Sequence, residues 1–200
     1  MPTGVALRDP RQQLFDAAER ILLRDGPNAL TSRAVTDEAG CAKGVLHRHF
    51  DDFDGFLLEL VGDRIRRVRI QDDELRERAG CGTVAGNLIA ALTEVFDPLA
   101  LAVLGLITAR DELRTRLRQT TPVGLPVLTE AGVMIKRYLT AERELGRIQP
   151  QADVDTLALT LIGAGHLLFA GREHAPQPDG AVDRIVASVM SGVLTDPDGR

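Results

Sequence analysis

At 200 residues the chain is long enough for a sizeable core, but with no Trp and only 4% aromatic residues that core must be mostly Leu, Ala, Val and Ile, which suits packed helices. The formal net charge of −5 excludes a uniformly basic nucleic-acid-binding surface, although residues 1–50 hold 7 basic and 6 acidic residues and the acid excess lies beyond them. Screening confines a distant charge to about 8–10 Å, so a local basic face remains compatible with phosphate binding. Cys41 and Cys81 do not make a disulfide framework. The longest apolar run, near residues 99–109, is too short to span a bilayer, and no signal peptide is visible, so the expected location is the cytoplasm with no membrane partner.

In chain order, residues 1–10 contain Pro2, Gly4 and Pro10 and are predicted to form a flexible arm. A first helix is predicted over 11–25, with Leu14, Ala17, Ala18, Ile21 and Leu22 as its buried stripe and Gly26-Pro27 as its stop. Thr31 is placed to cap a second helix, which leaves Ser32 and Arg33 at an N-terminus that favours phosphate. Residues 34–50, AVTDEAGCAKGVLHRHF, divide into the rest of that helix, a turn at Gly40 and a third short helix. Leu46 and Phe50, four apart, point inward from this third helix. Lys43, Gly44, His47 and Arg48 are left outside, a pattern suited to laying a helix in the DNA major groove.

These residues resemble the tetracycline-repressor (TetR) family of transcriptional regulators. The resemblance rests on three blocks in order and at the family's spacing: LFDAAERILLRDG at 14–26, ALTSRAV at 29–35 and AGCAKGVLHRHF at 39–50. It implies an all-α protein with an N-terminal three-helix helix-turn-helix DNA-binding domain and a C-terminal helical domain for ligand binding and dimerisation. The expected division is arm 1–10, DNA-binding domain 11–56 and effector-binding and dimerisation domain 57–200. DNA contacts are expected from Thr31, Ser32, Arg33, Ala42, Lys43, Gly44, Val45, His47 and Arg48. Four positions depart from the family pattern. Ala42 stands where a capping Ser is frequent, Val45 for Thr, His47 for Tyr, and Phe53 for a phosphate-binding Lys; Asp51, Asp52 and Asp54 add negative charge close by.

Beyond Phe50 a long helix is predicted from 53 to about 76, carrying the basic run DRIRRVR at 63–69, with a break at Ala79-Gly80-Cys81-Gly82. Further helices are predicted at about 84–96, 99–109, 112–119, 123–145, 154–171 and 181–194, punctuated by Pro98, Pro122, Pro126, Gly146, Pro150 and the Pro176-Gln-Pro178 loop. No stretch shows sustained strand alternation. The helix at 154–171 is apolar on most sides and is expected to be buried almost all round. Its Gly163 and Gly165 each cost roughly 1 kcal/mol in a helix interior, which points to a close helix–helix approach. Ile185, Val186, Val189, Met190 and Val193 stripe the last helix. The TetR resemblance implies a homodimer through these two helices, with Leu161, Gly163, Ala164, Leu168, Val186, Val189 and Met190 in the interface; an intramolecular core is the rival reading.

The candidate chemistry is sparse. His47 and His49, two apart on a helix, point about 200° from each other and cannot share a metal ion. DDFDG at 51–55 lacks the acids a calcium loop needs at Phe50 and Val61. There is no P-loop, dinucleotide fingerprint, nucleophile elbow or triad context, so neither an enzyme nor a bound cofactor is expected. Cys41 reads as a small apolar plug or as a redox sensor. Met134 and Tyr138 share a helix face and His166 lies on an apolar helix; each reads as core or as ligand contact. The TetR resemblance puts an effector cavity here, expected to be mostly apolar, lined by Phe96, Ile107, Met134, Tyr138 and His166, with Tyr138 and His166 as its polar handles. The expected function is a ligand-responsive repressor that binds a pseudo-palindromic operator in double-stranded DNA as a homodimer and responds to a small lipophilic effector. The alternative is a helical small-molecule-binding protein whose operator binding is weakened or lost.

Overall fold

The computed structural model describes residues 9–169 and 180–195. Residues 1–8 of the predicted arm at 1–10 and the loop around Pro176 and Pro178 lie outside the described residues, while Asp9 and Pro10, also assigned to the arm, form the start of the first helix. Asp9 starts α1 (Pro10–Asp25) by accepting from the Arg11 and Gln12 N–H groups, while Pro10 sits where no helical N–H is needed. One 3₁₀ turn, Pro27–Ala29, leads to α2 (Ser32–Glu38). Then follow α3 (Gly44–His49), α4 (Phe53–Glu77), α5 (Val84–Val95), α6 (Pro98–Ala109), α7 (Asp111–Leu117), α8 (Pro126–Glu144), α9 (Val154–Phe169) and α10 (Ala181–Met190).

The helices fall into two compact units. One takes in the described residues up to Arg64 together with Pro98–Leu125; the other takes in Ile65–Asp97 and the described residues from Pro126 onward. In the first, α2, α3 and α6 pack on α1, and α7 packs on α6. Its centre is a ring cluster: Phe15, Phe50 and Phe56 lie 5.0–5.7 Å apart, with Leu14, Leu46 and Leu57 fully buried around them. The grouping differs from the expected division after residue 56, because α6 and α7 pack with the N-terminal helices.

In the second unit α9 packs on α8 and α10, and α10 packs on α5. Leu88, Leu92, Phe96, Ile135, Leu139, Leu161, Val186 and Met190 form its core. In place of the expected close helix–helix approach, it is the side-chain ring of Phe96 that comes close to Gly165. A Cβ there would fall within the van der Waals envelope of the Phe96 ring, whereas one at Gly163 would meet open space. The expectation that α9 is buried nearly all round is corrected: Leu159 and Leu167 are 74% and 79% exposed.

Two predicted boundaries also move. α8 starts at Pro126, preceded by Gly124 with φ 83°, and not at 123. α10 ends at Met190 because Gly192 turns the chain at φ 71°. Residues 193–195 then run antiparallel to 147–149: the Gln149 N–H donates to the Val193 carbonyl (2.9 Å) and the Thr195 N–H to that of Arg147 (3.1 Å).

Candidate nucleic-acid interface

The helix-turn-helix is assembled from short-range rules. Thr31 Oγ1 accepts from the Ala34 N–H at 3.1 Å and caps α2. Gly40, at φ 65°, supplies the left-handed residue of the turn, and the Cys41 N–H returns to the Thr36 carbonyl at 3.0 Å. Cys41 is half-buried, and burial pushes its thiol pKa up, which makes it a weak nucleophile. No side chain caps α3, as the Ala42 departure implies.

α3 has a sharp division between its faces. Leu46 and the following Phe50 are buried in the ring cluster. Ala42, Lys43, Gly44, His47 and Arg48 are exposed and Val45 is half-buried. On α2, Ser32 is half-buried, while Thr31 and Arg33 are exposed and Arg33 lies 3.4 Å from Asp37. The nine residues expected to touch DNA therefore sit around one α2–α3 corner.

The corner is fixed from outside by charge. Glu38 accepts from the Arg20 Nε (2.8 Å) and from both Nη atoms of Arg24 (3.0 and 3.1 Å), which ties α2 to α1. The Arg20 and Arg24 guanidinium groups hold its carboxyl below the usual carboxylate range. Arg11 donates to the His49 carbonyl (2.7 Å), pairs with Glu59 and lies 4.4 Å from the Phe50 ring centroid. Phe53, where the resemblance leads one to expect Lys, stacks on Phe56 with centroids 5.7 Å apart.

Among the residues expected to bind an effector, Ile107 belongs to α6 in the first unit, and Phe96, Met134, Tyr138 and His166 belong to the second. Met134 borders a cavity of about 10 Å³, room for one water, lined by Gln71, Glu74, Arg78 and Glu94 together with Leu75 and Ala91. Tyr138 is corrected as a polar handle. It is fully buried, its hydroxyl donates to Glu142 Oε1 (2.6 Å) and it accepts from Asn87 Nδ2 (2.9 Å). Burial, reinforced by the Glu142 carboxylate, pushes its pKa up. Phe96 is likewise core, its ring 5.4 Å from that of Phe169. His166 retains a buried Nδ1 with no hydrogen-bond partner.

Glu142 itself was not singled out from the sequence. It is fully buried, accepts from the Gly80 N–H (3.3 Å) and pairs with Arg147 (3.2 Å), which in turn donates to the Gly82 carbonyl (2.6 Å). It shares the i, i+4 face of Tyr138 on α8, so a carboxylate on that apolar stripe is the sequence signal for it. Beside this network an open groove of about 480 Å³ is lined by residues 82–85, 146–147 and 194–195.

Of the expected interface residues, Leu161, Val186 and Met190 are fully buried within the chain and belong to its own core, a correction. Gly163 is exposed, and Ala164, Leu168 and Val189 are half-buried. Leu159 and Leu167, absent from the expected set, form with Gly163 an i, i+4, i+8 stripe on the outer face of α9.

Residues 14–60, which hold this whole corner, match the family model described as bacterial regulatory proteins, tetR family. The N-terminal segment is that of the TetR family. No curated protein matches the chain. Among solved structures, a transcriptional regulator from Rhodococcus sp. Rha1 aligns with a TM-score of 0.71 at 18% identity, over 94% of this chain and 99% of that one. SmeT, the repressor of the Stenotrophomonas maltophilia multidrug efflux pump SmeDEF, aligns with a TM-score of 0.64 at 18% identity, over 95% and 93%. FadR from Bacillus subtilis, solved with stearoyl-CoA, gives 0.65 at 16% identity, over 91% and 98%. The TetR-type fold therefore runs through both units. No single helix among the described residues is long and apolar enough to cross a membrane.

Proposed function

We propose that the protein is a TetR-type transcriptional regulator that binds a pseudo-palindromic operator as a homodimer and releases it when a small lipophilic effector binds. The observation that carries the DNA reading is the α2–α3 corner: within the segment matched to the family, Lys43, His47 and Arg48 stand exposed on a helix whose opposite face is locked in a ring cluster. Lys43 and Arg48 supply fixed positive charge, Val45 an apolar contact such as a thymine methyl, and the α2 N-terminus around Thr31–Arg33 a place for a backbone phosphate.

The dimer reading is supported by the outer face of α9. Two leucines about three-quarters exposed, with a glycine between them, are costly in water and suited to a close helix pair. The effector reading is supported by the aliphatic second unit, by the unpartnered His166 Nδ1 as a hydrogen-bonding handle, and by the similarity to FadR, a protein solved with an acyl-CoA. The protein has no proposed catalytic role or cofactor, and its expected place is the cytoplasm.

Selection of bound sequences from random DNA, followed by titration of the recovered duplex, tests the reading. Wild-type protein is expected to enrich a palindromic sequence. Lys43→Ala and Arg48→Ala are each expected to lower affinity, by about 1–3 kcal/mol for a base contact or with a salt slope reduced by about 1 for a phosphate contact. No enrichment, or unchanged affinity in both variants, overturns the groove assignment and leaves the alternative of a ligand-binding protein without an operator.

A further inference from the structure

The turn between α3 and α4 carries Asp51, Asp52 and Asp54, three acids at the foot of the proposed recognition helix. Left bare, they would repel the phosphate backbone that the neighbouring Lys43 and Arg48 are placed to attract. The structure puts a cation on them from elsewhere in the chain. Arg116, on α7, donates from Nη1 to Asp52 Oδ1 (3.2 Å) and from Nη2 to Asp52 Oδ2 (3.0 Å), and its Nη2 lies 3.9 Å from Asp54 Oδ2.

We propose that Arg116 is a positioning and charge-masking residue for DNA binding, an inference that rests on the DNA reading above. A two-pronged guanidinium–carboxylate pair fixes orientation as well as charge, which a lysine at the same place would not do. Asp52 in turn accepts from the Gly55 N–H (2.5 Å), so the same carboxylate that Arg116 holds also caps the first turn of α4. The Arg116 guanidinium, helped by that N–H, holds the Asp52 carboxyl below the usual carboxylate range and so keeps the pair ionised at neutral pH. Arg110, six residues earlier, reaches the other end of the corner. It donates to the Leu30 carbonyl, next to the α2 cap, and its guanidinium carbon lies 5.5 Å from the Phe53 ring centroid. Two arginines from 98–125, a segment of the same compact unit, thus grip both ends of the helix-turn-helix.

A half-exposed ion pair adds only slightly to folding stability, so the larger effect of Arg116 is expected in binding. The test uses full-length protein and the duplex recovered by selection, with Arg116→Ala, Asp52→Asn and the double variant. Arg116→Ala is expected to weaken binding by about three- to tenfold at low ionic strength, with the loss shrinking as salt screens the freed carboxylate and with the melting temperature lowered only slightly. Asp52→Asn is expected to bind at least as tightly as wild type, and the double variant to return to within about twofold of Asp52→Asn, because the charge that needed masking is gone. A double variant as weak as Arg116→Ala, with the salt slope lowered by about 1, would mean that Arg116 touches phosphate itself and would overturn the masking role. So would unchanged affinity in Arg116→Ala when the wild type binds. Failure of the wild type to bind any duplex removes the DNA reading and this inference together.

Discussion

The two compact units solve the problem of holding helices together in different ways. In the first, α2, α3 and α7 have 7, 6 and 7 residues, too short to persist alone, and they are held by one cluster of phenylalanine rings, with arginine–carboxylate pairs around the perimeter that fix orientation more than they add stability. In the second, helices of up to 19 residues bury a largely aliphatic core, and among the described residues charge enters the interior at Asp72, paired with Arg137, and at Glu142. A short-helix unit concentrates its stability in a few side chains and leaves its outer faces free for recognition. A long-helix unit spreads its stability widely, and its polar pin is correspondingly specific.

The first and largest test of this contrast removes a ring. Phe56 is fully buried and lies within 5.7 Å of Phe15, Phe50 and Phe53. Phe56→Ala is expected to cost about 3–5 kcal/mol, with amide exchange rising across α1–α3. Protection of those amides at wild-type level would show that the cluster is not what holds the unit.

Next in size is the polar pin. Glu142→Ala strips the acceptor from the Tyr138 hydroxyl, the Gly80 N–H and Arg147. Breaking a buried pair costs about 3–5 kcal/mol, and because the Arg147 side chain is still 28% exposed and can turn to water, the low end, about 3 kcal/mol, is expected by denaturant titration. A loss under about 1 kcal/mol would mean that the network is not coupled to the core.

The sequence was most legible where structure depends on neighbours along the chain. The Thr31 cap, the Gly40 turn, the Leu46/Phe50 face and the ends of α1 and α4 all follow from spacing and turn chemistry. It was least legible where two distant segments decide. α9 is apolar on most sides, so nothing local distinguishes Leu161, which faces inward, from Leu159 and Leu167, which face out. The joining of α6 and α7 to the N-terminal helices rests on α6 packing against α1 and on Arg110 and Arg116 reaching Leu30 and Asp52, 80 and 64 residues away. The pairing of Ile148 with Leu194 is a single bridge, too short to print an alternation. At the interface the same limit applies. Exposure of Lys43, His47 and Arg48 was readable from the helix face, while the masking of Asp52 was not.

The third test separates the two glycines of α9. Gly165→Ala forces a methyl group against the Phe96 ring, an overpacking cost of about 1–3 kcal/mol that the better helix propensity of Ala offsets by about 1, so a net loss near 1 kcal/mol is expected. Gly163→Leu, in open space on the same helix, is expected to leave the fold intact and to shift sedimentation toward monomer. An unshifted dimer, or a wild type already monomeric at micromolar concentration, would remove the proposed α9 interface.

The smallest expected effect is acid sensitivity, and it tests whether the perimeter charges of the first unit are structural. Hydrogen bonds from Arg20 and Arg24 lower the pKa of Glu38, and those from Arg116 lower that of Asp52. In the second unit Asp153 is lowered chiefly by the Thr156 hydroxyl and N–H, at the start of α9. A carboxyl whose pKa is depressed on folding contributes stability that is complete above its unfolded pKa, about 4, and is lost as the pH falls through the folded value. All three contributions should therefore fade as pH drops below about 4, but their salt dependence should differ. Ion pairs with exposed arginines are screened, so added salt should weaken the α1–α2 tie already at neutral pH and flatten its acid response. A hydroxyl and an amide donating to Asp153 carry no net charge, so α9 should keep its acid response in high salt. Amide exchange read at α2 and at the first turn of α9, at low and high salt, checks this. Equal salt dependence at the two places would mean that the arginine perimeter contributes no more than an ordinary cap.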